Sequence, residues 1–537
     1  MNKIIYTLLV WFAFVATLDA QTCGRRYRER VFNSVQVYRD VIYSRDAPKI
    51  IGAALGVETT LPFDLVMDIR TPPPTDTVTK RPAFIMAFGG GFVDIAFMGS
   101  TVLVGTMDNE DVQALADTLA HWGYVTACIE YRTGFDVLSR TSIMRAVWRG
   151  SQDISAGVRF LRKNADWFGI DEEKVFIGGS SAGAFSCLHS TFIDGSERIP
   201  ESYEQTPILM GDLGDLHSRP IEELTAFNPF ASNTVLGDDV DSIANGIAAF
   251  WGALGDTNWI AGANKAPVIM FHGDEDLIVD AECAQPFSSL ILVAPVTCGS
   301  IVLDTAMRNR NVAHELHVAQ GEGHEYWGAL NGDWLPSGPN AYWGDMIDKT
   351  ATFFYEIMRP ATPTISGTNV SQHGQVQTYT INNPLPGATY CWDVQNGTIL
   401  NPPQNGSSVQ ILWNTSGTLG RVKAICSDRS EVASLQRVYN VNLTPVNVSE
   451  YETAVGLQLF PNPTQAQVAV KFQSYKMGKS QIQIINQLGQ VCEGKTVETA
   501  LGENSLSLDL SHLPNGLYLF RLQQGAEAAT QKLIIQR

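Results

Sequence analysis

Residues 175–186 read VFIGGSSAGAFS, and this stretch decides how the remainder of the chain is read. Val175, Phe176 and Ile177 form a short continuous apolar run, which suits a strand buried on both faces. Gly179, Ser181 and Gly183 then follow in the pattern G-x-S-x-G, and Ala182 onward can start a helix. A strand that turns sharply into a helix leaves room only for small side chains beside the serine, and it exposes the hydroxyl at the tip of the turn. Glycine and serine are common here, so this pattern alone is weak and its context has to supply the rest.

The context is a regular alternation. In Phe63–Ile69 the apolar residues Phe63, Leu65, Met67 and Ile69 alternate with Asp64, Val66 and Asp68 and read as a half-exposed strand, whereas residues 83–88, 125–129, 247–251 and 268–271 are continuous apolar runs. Between them, Asp111–Trp122 and Ser151–Trp167 repeat apolar residues at helical spacing, each before a glycine, and a last helix is expected over Ala341–Tyr355. Strand and helix in alternation imply an α/β fold with a mostly parallel, doubly wound sheet covered on both faces.

Other signals fall at the ends of these strands. In AFGGGF, residues 87–92, Gly89, Gly90 and Gly91 follow a buried strand, where backbone N–H groups can face a developing oxyanion. In FHGDEDLIVD, residues 271–280, Asp274, Asp276 and Asp280 follow another, and Asp276 is the preferred orienting acid. In GEGHEYW, residues 321–327, His324 follows the last expected strand, Glu315–Val318, and is the best placed of nine histidines to act as a base toward Ser181. Taken singly, each has a plainer reading: a tight turn, a solvated acidic cluster, a surface histidine. Their joint placement after successive strands favours a nucleophilic hydrolase.

Composition narrows the class. The chain has 537 residues, 45% hydrophobic and 17% charged, which is globular and too long for one ordinary domain. With 37 basic against 55 acidic side chains the net charge is −18, which repels nucleic acid and anionic membranes. Lys3, the stretch Ile4–Ala16 and Ala20 have the layout of a secretory signal peptide over residues 1–20, and no later run is long enough to span a membrane. Eight cysteines show no zinc spacing, and bridges are expected between Cys283 and Cys298 and between Cys391 and Cys426. No metal and no cofactor is called for.

On these residues, about 60–358 resembles the carboxylesterase and lipase branch of the α/β-hydrolase fold. FDLVMDIRTP resembles its first strands, AFGGGF its oxyanion segment, QDISAGVRFLRKNADWFGID the helix before the turn, GGSSAGA the turn itself, and HGDEDLIV and GEGHE its acid and base loops. The order Ser181, Asp276, His324 is also the order of that fold. The resemblance implies Ser181 as nucleophile, His324 as base, Asp276 as orienting acid, and Gly90, Gly91 and Ala182 as oxyanion donors. One departure is Phe88, where the family usually has histidine, which bears on the geometry of that loop. Residues 187–244, with Leu209, Met210, Leu213 and Leu216, are expected as a cap that shapes an acyl pocket, and Trp259 and Trp327 as residues lining the alcohol side.

Beyond the linker PATPTISG, PGATYCWDVQNG and VQILWNTSG resemble polycystic-kidney-disease-like, immunoglobulin-type modules, for which a spacer role is preferred to glycan binding. LQLFPNPTQAQVAV, LPNGLYLFRL and the final KLIIQR resemble the C-terminal sorting domain of the type IX secretion system of Bacteroidetes. The expected organisation is a signal peptide (1–20), a hydrolase domain (21–360), a β-sandwich (361–450) and a sorting domain (451–537). The expected function is a secreted or surface serine esterase, with acetyl or feruloyl esters on polysaccharides as a substrate class and the type IX machinery as a partner. A peptidase of the same fold and a non-catalytic adhesin on a dead scaffold are the alternatives.

Overall fold

In the computed structural model the apolar runs assemble into one eight-stranded sheet. The structure describes residues 24–54, 57–93, 104–193, 213–226, 231–262, 264–288, 291–400, 406–445, 456–525 and 527–537. The expected signal peptide, together with Leu209 and Met210 of the expected cap, lies outside them. The strands are β1 (Gln36–Ala54), β2 (Val57–Thr71), β3 (Arg81–Ala87), β4 (Val125–Ile129), β5 (Ile170–Ser180), β6 (Ile247–Phe250), β7 (Val268–Gly273) and β8 (His314–Ala319). Their order across the sheet is β1-β2-β4-β3-β5-β6-β7-β8. The first two pairings are antiparallel, and every pairing from β4 to β8 is parallel.

Every residue of β3, β4 and β7 is buried, odd and even positions alike, so both faces of the sheet centre are covered. That is why these strands read as unbroken apolar runs. β1 gave no such signal: it is an edge strand carrying Arg39, Asp40, Arg45, Asp46 and Lys49, and its register against β2 shifts repeatedly. Bulges break the period-2 pattern by which a strand is recognised in sequence.

The longer helices are α1 (Glu110–His121), α2 (Arg140–Lys163), α3 (Ala182–Phe192), α4 (Ser300–Asn309) and α5 (Ala341–Met358). α2 starts at Arg140 rather than Ser151, with the Ser139 hydroxyl accepting from the Ser142 N–H as its cap. Its first half escaped the apolar pattern because it buries cations: Glu58 of β2 pairs with Arg145 at 3.1 Å and Arg149 at 3.0 Å. A buried guanidinium is tolerated where it is paired and hydrogen-bonded, so it can occupy a core position that hydropathy assigns to solvent.

The expected linker is already structured. Thr364–Ser366 is the first strand of a two-sheet sandwich, with sheets 364–366/376–382/408–413/397–400 and 370–372/437–444/419–427/389–395 in spatial order. Residues up to 371 together with 375–442 form one compact unit, and residues 372–374 with 443–537 a second. The sandwich is therefore not a free spacer. Its turn after Ser427 seats against the start of β5: Lys174 Nζ lies 2.5 Å from Asp428, the Ser430 hydroxyl donates to Asp171 at 3.1 Å, and the Tyr27 hydroxyl donates to the Ser430 carbonyl at 2.6 Å. Tyr355 of α5 accepts from the Ala433 N–H at 2.8 Å, and Val432, fully buried, belongs to the hydrophobic core of the large sheet.

Val432→Asp would place an unpaired carboxylate in that core, a change of about 3–4 kcal/mol. The expected result is a melting midpoint lower by roughly 10 °C in thermal unfolding. An unchanged melting curve would show that the interface contributes nothing.

The second unit has its own core, with Val468, Val470, Phe472, Ile482, Ile484 and Phe520 inside two sheets whose strands alternate buried and exposed residues. Of the expected bridges, Cys283–Cys298 is formed. The second is not: Cys391 is disulfide-bonded, but Cys426 is a free buried thiol. Cys426 stands opposite Tyr390 in the ladder, and Cys391 opposite Ile425, so the two sulfurs point to opposite faces of one sheet.

Candidate active site

Ser181 sits at the tip of the β5–α3 turn with φ 50° and ψ −115°, a left-handed backbone that a non-glycine residue rarely adopts. Its neighbours allow the turn. A Cβ on Gly179 would lie 2.3 Å from the Gly183 carbonyl carbon, and one on Gly183 would lie 2.4 Å from the Ala87 oxygen of β3. Both glycines of the motif are thus required by close backbone approach. The Ser181 N–H donates to the Phe250 carbonyl at 2.9 Å, which ties the turn to the end of β6.

The three residues expected to act together do meet. His324 Nε2 lies 3.0 Å from Ser181 Oγ, and His324 Nδ1 lies 2.6 Å from Asp276 Oδ2. A carboxylate only accepts, so Nδ1–H donates to Asp276 and the Nε2 lone pair faces the serine hydroxyl. The other Asp276 oxygen accepts from the N–H groups of Ile278 at 2.8 Å and Val279 at 3.0 Å. Asp274 instead accepts from the Gly321 N–H at 2.6 Å, fastening the acid loop to the base loop, and Asp280 caps its own turn at Glu282.

Burial alone would raise the Asp276 carboxyl, but hydrogen bonds from His272 and His324 outweigh it and hold it well below the usual carboxylate range. His272 was passed over in the sequence although it precedes the acid loop. It is fully buried, its Nδ1 is 2.8 Å from the Ser300 hydroxyl, and its Nε2 is 2.8 Å from the Val279 carbonyl and 3.5 Å from Asp276. Glu325, next to His324 and also buried, is pushed upward by that burial and accepts from the Gly332 N–H at 3.4 Å.

Gly90 and Gly91 have φ of 97° and 59°, and the Gly90 carbonyl accepts from the Val93 N–H at 3.0 Å, so the glycine segment forms a turn beside the serine. Phe88 does not disturb it. Its ring stacks on Tyr131 with centroids 4.2 Å apart, and the Tyr131 hydroxyl donates to the Phe88 carbonyl at 2.8 Å. Gly91, Ser181 and Ala182 all open on one cavity of about 650 Å³; Gly90 is not among its lining residues.

The cavity is walled mainly by aromatic and aliphatic groups, including Phe92, Phe135, Trp148, Phe185, Trp259 and Phe287. Trp259 lines it, but Trp327 does not. Trp327 is fully buried among Phe250, Trp251 and Trp343, because the chain turns inward after His324 and packs its aromatic residues beneath the base loop. Leu213 and Leu216 also pack into the core rather than the cavity.

His189 was another omission. From α3 it lines the cavity with Nδ1–H donating to the Phe185 carbonyl at 2.7 Å and Nε2 accepting from the Gly255 N–H at 3.3 Å. Burial pushes it down to about 4, so it is a neutral part of the wall. Among the described residues no group of three or more His, Cys, Asp or Glu side chains could hold a metal ion, and no helix is long and apolar enough to cross a membrane.

Two family descriptions match separate parts of the chain. The family described as BD-FAE matches residues 67–206, and the secretion system C-terminal sorting domain matches residues 458–536. Carboxylesterase 3B of Mus musculus is 29% identical over 181 residues, 32% of this chain, and the match spans only 29% of that protein's length. Among solved structures, esterase 2 of Thermogutta terrifontis with propionate bound aligns at 19% identity and a TM-score of 0.33, covering 55% of this chain and 90% of that one. The same enzyme phosphorylated by paraoxon aligns at 18% identity and 0.34, covering 58% and 94%. The sorting domain indicates type IX export, to the cell surface or beyond. The chain thus combines an α/β-hydrolase fold, within which residues 67–206 match the BD-FAE family, with a C-terminal sorting domain over residues 458–536.

Proposed function

We propose that this protein is an exported serine carboxylesterase that hydrolyses carboxylic esters through an acyl-enzyme, with polysaccharide-linked feruloyl or acetyl esters as its substrate class. The observation that carries the proposal is the Ser181–His324–Asp276 hydrogen-bonded relay, which opens on an apolar cavity. Ser181 Oγ attacks the ester carbonyl while His324 Nε2 takes its proton, and Asp276 stabilises the imidazolium so formed. The carbonyl oxygen becomes negative and is met by the N–H groups of Ala182 and the Gly90–Gly91 turn, each contributing about 3 kcal/mol in a dry site. His324 returns the proton to the leaving alcohol, and water then releases the acid by the reverse sequence.

The cavity favours a bulky acyl group. An acetyl group would leave most of its aromatic wall facing water, whereas a planar hydroxycinnamoyl group would cover it and gain the hydrophobic term of roughly 25 cal/mol per Å² buried. The sorting domain supports a substrate met outside the cell.

A panel of aryl acetate, butyrate and ferulate esters, combined with fluorophosphonate labelling read by mass spectrometry, tests the proposal. The expected result is labelling at Ser181 and the highest kcat/KM on the ferulate. Labelling with cleavage of peptides but no ester would favour the peptidase. No labelling at all would favour the inactive scaffold.

A further inference from the structure

The segment between Cys283 and Cys298 supplies a whole side of the cavity, through Phe287, Ile291, Ala294, Pro295 and Val296. We propose that this loop is the specificity wall for large acyl groups, and that the Cys283–Cys298 disulfide is the clasp that holds it against the site. The inference rests on the esterase reading and names the part of the chain that selects among esters.

Besides the clasp, the loop is held at its base and along its inner face. Its described residues between Ala284 and Thr297 belong to no helix or strand. At its base, Cys283–Ala284 and Thr297–Gly299 pair as a short ladder in which the two cysteines face each other, and Cys298 and Gly299 also pair with Leu254 and Ala253. The Gln285 side-chain amide donates to the carbonyls of Leu292 and Ala294, both at 2.8 Å, bonds that stay inside the loop. Leu292 and Val296 are 80% and 59% exposed, while Ile291 and Ala294 on the inner face are buried against the core, so the loop is seated by the same residues that wall the cavity. The Phe287 N–H donates outward to the Ile278 carbonyl at 2.9 Å, and the Phe287 ring lies 2.9 Å from where a Cβ on Gly91 would be. A cross-link across such a segment removes most of the conformations that would otherwise compete with the seated one.

The relay is held by other means. Asp276 is fixed by the N–H groups of Ile278 and Val279, Val279 by His272, His272 by the Ser300 hydroxyl at the start of α4, and the acid loop by Asp274 to Gly321, none of them on the loop between the two cysteines. Opening the clasp therefore releases the wall and leaves the serine, imidazole and carboxylate in register. A small acyl group, which needs only the relay and the oxyanion donors, depends on the wall far less than a cinnamoyl group, which lies along it.

The test compares kcat/KM for an aryl cinnamate and an aryl acetate in the full chain, in Cys283→Ser, and in Ile291→Ala, which keeps the clasp. The expected result is a cinnamate-to-acetate ratio lowered about tenfold or more in both variants, with the loss falling on the cinnamate KM. Equal losses on both esters in folded Cys283→Ser would mean that the clasp supports the relay, and would overturn the inference. So would an unchanged ratio. If Cys283→Ser does not fold, Ile291→Ala decides the role of the wall by the same ratio. Wild-type protein that hydrolyses neither ester would sink the esterase reading and this inference together, whereas wild-type protein that hydrolyses both, with ratios unmoved in the variants, would sink this inference alone.

Discussion

Ser181→Ala is expected to lower kcat on an aryl acetate by about 10⁶-fold, because the substitution removes the atom that forms the covalent intermediate and leaves water to attack unaided. The fold should be indifferent to the change. The Ser181 backbone already holds φ 50° by its N–H bond to Phe250 and by the two glycines beside it, and alanine removes only the hydroxyl. Unfolding curves of the two proteins should nearly coincide, and the intact mass after fluorophosphonate treatment should show no adduct in the variant. Residual turnover of about 10³-fold over water is compatible with the oxyanion donors and binding alone. Turnover within tenfold of wild type would place the nucleophile elsewhere.

Asp276→Asn should cost about 10⁴-fold in kcat with KM little changed. A neutral amide cannot stabilise the imidazolium that His324 becomes, and with its NH₂ toward Nδ1 it favours the tautomer whose Nε2–H clashes with the serine proton. The same change alters stability with a definite sign. Asp276 is held below its ordinary value in the folded protein, so its ionised form contributes stability above the unfolded value near pH 4, and that contribution is lost as pH falls below it. The stability difference between wild type and variant should thus be largest at neutral pH and shrink in acid. Urea unfolding at pH 7 and pH 3 measures it; a difference that does not shrink would mean that the carboxylate is not stabilised by its charge.

The parts of the site that a linear reading could reach are those whose chemistry is local. The turn at 179–183 needs small residues within one short stretch, and the strand before it is buried on both faces, so both leave their mark in consecutive residues. The acid was legible as a class. Three aspartates follow β7, and which of them meets His324 depends on the loop being folded so that Asp274 turns to Gly321 and Asp280 to its own backbone. His272 and His189 gave no signal because each looks like an ordinary residue within its strand or helix. Their partners, Val279 with Ser300 and Gly255, come from elements placed beside them only when the sheet is assembled.

By itself, then, the sequence determined the layered α/β architecture, the strained serine turn, the residue types of the relay and the sandwich and sorting segments that follow. Tertiary structure alone decided that Trp327 is core and Trp259 is wall, that Cys391 and Cys426 face away from each other, that the sandwich inserts Val432 into the hydrolase core, and that a disulfide-closed loop walls the cavity. The reason is range. Periodicity and turn chemistry act over a few residues and survive in any window of the chain, whereas these four outcomes are contacts or facings set by the order and register of strands, which no local pattern encodes.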